Sequence, residues 1–273
     1  MLKQISINLC DYRGTYASAE AMLRQYETFR STLDVLCPQC EFDEVWMGSE
    51  FCENLFLCIP EEQYQKKIDY FTSLGLRVQI AVPELHETNF ERAVSLLQQM
   101  QNTDGFVVND IGTAVTVHRI FPQKKLILGR SFDKSVREIR CVPSEICSKY
   151  EREAADLHKE LPDPVHTSFF RSIGATGITT DSVPYYRSEY NAPELQIYFQ
   201  YPRMVLSHAA ICEFSKATGN NPLRGCEFGC FSYEKSYELA GKPVLKKGKI
   251  ISHKEERAIC QCVSGDVRLV YTL

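Results

Sequence analysis

The stretch Leu76-Arg77-Val78-Gln79-Ile80-Ala81-Val82 is a short apolar run that alternates β-branched residues with others. Residues 89–100 follow with helical periodicity. Then come Gly105-Phe106-Val107-Val108-Asn109, a shorter helical stretch at 112–121, and Lys125-Leu126-Ile127-Leu128-Gly129. Strands that alternate with helices in this way read as parallel βαβ units, because parallel neighbours are joined only by a crossover. The alternation continues on both sides, with strand-like runs at 4–9, 44–48, 177–180 and 195–200. Residues 17–36 place Met22, Leu23, Tyr26, Phe29 and Leu33 on one helical face, and 61–74 and 148–161 read as further helices. Six or seven such units in about 200 residues predict an α/β fold of the (β/α) barrel-like type, which need not be complete. A doubly wound sheet is the competing arrangement.

The last third changes character. From Ser207 the chain carries Cys212, a polar loop from Lys216 to Arg224, then Cys226 and Cys230, with strand-like runs at 249–252 and 267–272. The expected organisation is a barrel-like part at 1–206 and a cysteine-bearing segment at 207–273 packed on it, within a single domain.

Composition narrows the function classes. With 273 residues, 44% hydrophobic and 24% charged, the chain is an ordinary globular length of sequence. A net charge of -4 argues against nucleic-acid binding driven by bulk electrostatics. No apolar run reaches the roughly 18–20 residues of a membrane span, and the start lacks an export signal. The expected setting is cytoplasmic. Twelve cysteines then need an account other than a secreted disulfide framework.

Cys226-Glu227-Phe228-Gly229-Cys230 is a CxxxC turn, with Gly225 and Gly229 expected to permit its tight backbone, and Cys212 feeds the loop from upstream. Three thiols there suit a soft metal or cluster. Zinc on His208, Cys212, Cys226 and Cys230 is an equally open reading of the spacing, and so is a set of buried free thiols. Cys37-Pro38-Gln39-Cys40 is a CxxC at the end of a predicted helix, a poor place to activate a thiol. Cys260 and Cys262 read as structural residues of a β-like stretch.

Tyr201-Pro202-Arg203-Met204-Val205-Leu206-Ser207-His208-Ala209-Ala210-Ile211-Cys212, with the CxxxC behind it, resembles the signature of the U-32 peptidase family, the collagenase-like peptidases of unknown catalytic type. The likeness is nearest to the UbiV-like branch. Glu44-Val45-Trp46-Met47-Gly48-Ser49-Glu50-Phe51-Cys52 resembles the family's early strand and turn, and Asp104–Gly112 and Ser172–Asp181 resemble two of its strand ends. The set stands in order over roughly residues 40–235. The resemblance implies a barrel-like fold and a 4Fe-4S cluster on Cys52, Cys212, Cys226 and Cys230. It also implies a part in oxygen-independent hydroxylation of a small molecule or RNA base. Pro202 and Val205 depart from the signature's usual glycine and proline, Leu128–Asp133 lacks the family's asparagines, and Thr180-Asp181-Ser182 lacks its Arg-Glu pair.

In a barrel, ligands gather at the C-terminal ends of the strands. Asn109, Asp110, Arg130 and Arg203 fall there. The two arginines and Asn109 are candidate substrate-binding residues, the arginines gripping a dicarboxylate such as prephenate. Asp110 is the candidate catalytic carboxylate, with helix capping as its plainer role. His118, His158, His166 and His253 read as structural. Two further functions stand beside the hydroxylase expectation. One is a non-catalytic cluster-bearing subunit paired with a paralogous family member; the other is a true peptidase.

Overall fold

Alternation along the strands sorts their side chains between two environments. In β1 (Gln4–Asn8), Ile5 and Ile7 pack outward with Tyr26, Phe29 and Leu33 of α1 (Ala19–Leu36). Ser6 and Asn8 turn inward, to Glu44 and Glu50. The same rule repeats along the chain. The computed structural model describes residues 4–10, 19–36, 40–133, 164–182, 188–190, 194–209, 211–213, 215, 226, 228–231, 233–239 and 241–272.

The elements follow in order as β2 (Glu41–Gly48), α2 (Glu53–Cys58), α3 (Glu61–Ser73), β3 (Arg77–Val82), α4 (Glu87–Gln99), β4 (Gly105–Val108), α5 (Ile111–Ile120) and β5 (Lys125–Leu128). Then come α6 (Pro164–Ser172), β6 (Gly177–Asp181), β7 (Ser188–Tyr190), β8 (Gln196–His208), β9 (Lys235–Leu239), β10 (Lys242–Lys247) and β11 (Ile250–Lys254). A short helix, α7 (Ile259–Cys262), precedes β12 (Val263–Gly265) and β13 (Val267–Thr272). Strands β1 to β6, β8 and β13 form one parallel sheet, and β13 pairs with both β1 and β8, so the sheet closes into an eight-stranded barrel. The barrel is complete. The segment 207–273 is therefore not only an appendage: its last strand, buried at all six positions, supplies the eighth stave.

Trp46, Ala81, Val107, Ile127, Tyr198 and Val270 fill the middle of the barrel. Below them Glu44 accepts from Ser6 Oγ (2.8 Å), Trp46 Nε1 (2.9 Å) and Gln79 Nε2 (3.1 Å). Arg268 reaches the same carboxylate at 3.4 Å and pairs with Asp43. The interior is a packed core, so a ligand enters only from the opposite, C-terminal end.

β8 is long enough to do two things. Its first half lies between β6 and β13, and beyond Pro202 it pairs antiparallel with β11, which carries β10 and β9. A three-stranded flap thus rises over the C-terminal mouth from the strand that forms part of it. The predicted helix at 148–161 lies outside the described residues. Cys260 and Cys262 sit on the helical turn of α7, not on a strand, with Cys262 Sγ directed at the Ala258 carbonyl (3.5 Å). Among the described residues, no helix is long and apolar enough to cross a membrane.

Candidate functional site

The chain after β5 turns at once into a single 3-10 turn, Arg130–Phe132, which folds Arg130 back over the strand ends. Gly129 permits this, because a Cβ there would lie 2.2 Å from Asn109 Oδ1. Arg130 is only 3% exposed. Its Nη2 donates to Gln200 Oε1 (2.8 Å) and Thr272 Oγ1 (3.2 Å), and its Nη1 to the Arg203 carbonyl (3.2 Å). Glu50 and Asp181 each stand 3.4 Å from it as counter-charges. Asn8 Nδ2 donates to the other oxygen of Glu50 at 2.9 Å. Six strands, β1, β2, β5, β6, β8 and β13, are tied together by this one guanidinium and its neighbours.

A cavity of about 280 Å³ lies above the network, with Asn8, Glu50, Arg130 and Thr272 toward the barrel and Arg203 and Lys247 toward the flap. Arg203 Nη1 donates to Ser252 Oγ (3.0 Å). Burial lowers the Arg203 pKa, and the adjacent Arg130 charge lowers it further against the pull of Glu234. Two buried donors, Arg203 Nε and Gln200 Nε2, find no acceptor among the described residues. Unfilled buried donors are uncommon in native proteins and are met by water or a ligand.

Two other residues singled out in the sequence are engaged elsewhere. Asn109 donates to the Val82 carbonyl (3.1 Å) and accepts from the Ser131 amide (3.3 Å), joining three strand ends. Asp110 is the N-cap of α5, accepting from the Thr113 amide (2.7 Å) and hydroxyl (2.6 Å). The structure thus gives Asp110 its capping role.

The four cysteines of the expected cluster come from the same end. Cys52 follows β2 and precedes α2, its amide donating to Ser49 Oγ (2.9 Å). The neighbouring Phe51 ring lies 5.5 Å from the ring of His208, at the end of β8. Cys212 is buried four residues further on. Cys230 packs against Gly248 in the β10–β11 turn, where a Cβ would come within 3.6 Å of its Sγ. Burial pushes the Cys230 thiol up to about 11, helped by the charges of Cys212 and Cys226 and opposed by Lys247. These three thiols therefore share one locality. Among the described residues, though, no three His, Cys, Asp or Glu side chains stand close enough together to hold a metal ion. The tight turn is set by Phe228, at φ 54°, whose amide donates to Cys226 Sγ (3.3 Å); Gly229 has no positive φ. Neighbouring thiols that raise the Cys230 pKa fit a cationic soft centre, which removes that repulsion.

Cys37 lies outside the described residues, and Cys40 packs half-buried on the main core. His158 is also outside them. His118 packs against Gly174, His166 stacks on Phe170 and His253 bonds the Pro243 carbonyl, so these three have structural surroundings.

Sequence reading missed one pair. Glu53, the first residue of α2, is buried, and its Oε1 lies 2.6 Å from His86 Nδ1 while Oε2 accepts the His86 amide (3.0 Å). The available signal was the position of His86, just beyond the end of β3. No protein-family model matches this chain, and no curated protein matches it.

Proposed function

We propose that this chain is an iron–sulfur enzyme, or enzyme subunit, whose barrel mouth binds a small carboxylate in oxygen-independent hydroxyl transfer to a small molecule or RNA base. One observation carries it: Lys247 lines the arginine cavity and also acts on the thiol of Cys230, so the cavity and the thiol group are neighbours. Arg203 Nε and Gln200 Nε2 supply donors for carboxylate oxygens, and Lys247 adds positive charge beside them. Arg130 already faces Glu50 and Asp181, so its role is to hold the floor and the carbonyl of Arg203 in place. Cys52, Cys212, Cys226 and Cys230 would hold a 4Fe-4S cluster; with four thiolates it is coordinatively saturated and supplies electron transfer or a structural clamp. Such thiols stay reduced in a cytoplasmic setting.

The test is anaerobic purification with iron and sulfide quantitation, repeated for Cys52→Ala and Cys40→Ala. About four irons per chain are expected for the wild type and Cys40→Ala, and none for Cys52→Ala. Zinc in place of iron, or loss in Cys40→Ala alone, overturns the cluster assignment. For catalysis, donor oxygen must enter the product under anaerobic conditions. Turnover only after a paralogous chain is added makes this chain the non-catalytic subunit, and peptide cleavage by cluster-free protein makes it a peptidase.

A further inference from the structure

A second cavity of about 170 Å³ adjoins the first, since Glu50 and Phe51 line both; His86, His208, Ser131 and Lys249 complete its wall. The His86 side chain is 35% exposed, yet its Nδ1 is buried against Glu53. The exposed edge is therefore the one that carries Nε2. Glu53 accepts the main-chain amide of His86 and stands 2.6 Å from the ring nitrogen of the same residue, which sets its carboxylate beside the base of the imidazole. The Nδ1 contact is short but is not aligned as a hydrogen bond. A carboxylate on Nδ1 selects the tautomer whose Nε2 is an open proton acceptor. Helix capping does not explain the arrangement, because the His86 side chain makes no capping bond to α4.

We propose that His86, oriented by Glu53, is the acid–base residue of the mouth: its Nε2 takes a proton from, or returns one to, a hydroxyl of the substrate whose carboxylate lies toward Arg203. The transfer moves one proton between that oxygen and Nε2 and none to or from Glu53. The other titratable groups that line this cavity are Glu50, Glu84, His208 and Lys249. The carboxylate at Arg203 rests on the function proposed above; the orientation of His86 does not.

The experiment uses the full chain with 15N-labelled histidine, His86 being assigned through His86→Gln, and salicylate (a carboxylate with an adjacent hydroxyl) as probe. The neutral His86 is expected as the Nδ1–H tautomer, changing in Glu53→Gln. Its Nε2 signal is expected to shift on salicylate saturation, and Arg203→Met should weaken salicylate binding at least tenfold. An Nε2–H tautomer in the wild type overturns the proposal, as does bound salicylate that leaves Nε2 unmoved. If salicylate fails to bind at all, the carboxylate site is wrong, and the tautomer in wild type and Glu53→Gln still decides the orientation of His86.

Discussion

Arg130 Nη2 donates to Gln200 Oε1 at 2.8 Å, joining the end of β5 to β8 across the mouth of the barrel. The same guanidinium stands between Glu50 and Asp181, both almost wholly buried. Arg130→Met would remove the guanidinium from between two buried carboxylates, a loss of about 3–5 kcal/mol. Arg130→Lys keeps the charge and loses the fork, so a smaller loss of about 1–3 kcal/mol is expected. Urea denaturation of the purified variants measures both. A loss below about 1 kcal/mol in the methionine variant would mean that this network does not hold the mouth together.

Gly48 ends β2 at φ +106°, and a Cβ there would meet the Ala81 carbonyl at 2.4 Å. That carbonyl accepts the Ser49 amide, so the turn leading to Glu50 and Cys52 is anchored at this place. Gly48→Ala is expected to cost about 2–4 kcal/mol through strain and displacement. It should also reduce iron bound by anaerobically purified protein. Gly75, at φ +77° with open space around its Cβ position, is the control; its alanine variant is expected to carry only the backbone penalty of about 1–2 kcal/mol and, on the cluster proposed above, the same iron content as the wild type.

Burial and two neighbouring thiols push Cys230 up to about 11. In metal-free protein, alkylation of Cys230 should be slow at pH 8 and accelerate until the pH approaches that value, because the thiolate is the nucleophile. Cys226→Ser removes one of the opposing charges and should shift the profile to lower pH. Peptide mapping after timed iodoacetamide treatment reads both. A Cys230 that reacts at pH 8 like an exposed thiol would place it away from Cys212 and Cys226.

The parallel barrel was readable because its staves are short apolar runs set between helical stretches, as at Val78–Val82 and Gly105–Val108. The closing stave was harder. The only helix between the flap and Val267–Thr272 is the four-residue α7, too short for periodicity to register, so alternation of elements gives no sign that this strand returns to lie between β1 and β8. Helix α2 escaped because Glu53–Cys58 is too short for periodicity to register. Arg130, Arg203 and the cysteines were marked by residue type at strand ends or in a turn. Their partners were not, since the contact of Arg130 with Gln200 spans seventy positions and that of Glu53 with the His86 amide spans thirty-three. In sequence Asp110 is a candidate catalytic carboxylate with capping as its plainer role, and its bonds to Thr113 show the cap.

Lys67, on α3, is 2% exposed, and burial lowers its pKa to about 8 against a small opposing effect of Cys58. A lysine whose folded pKa is depressed binds fewer protons in the folded than in the unfolded chain between about 8 and its ordinary 10.5. Stability therefore rises with pH across that window, and below it the folded protein bears the desolvation cost that lowers this pKa. Lys67→Met fills similar volume without the charge. It should stabilise the protein at pH 7 by about 1–3 kcal/mol, and its advantage should shrink as the pH rises from 8 to 10.5. Comparing the two proteins at each pH cancels the titration of every other group. Chemical denaturation at pH 7, 8.5 and 10 provides the values. An advantage that stays constant across the series would show that Lys67 is not neutralised by its surroundings, and a destabilised Lys67→Met at pH 7 would show that its ammonium holds a needed partner.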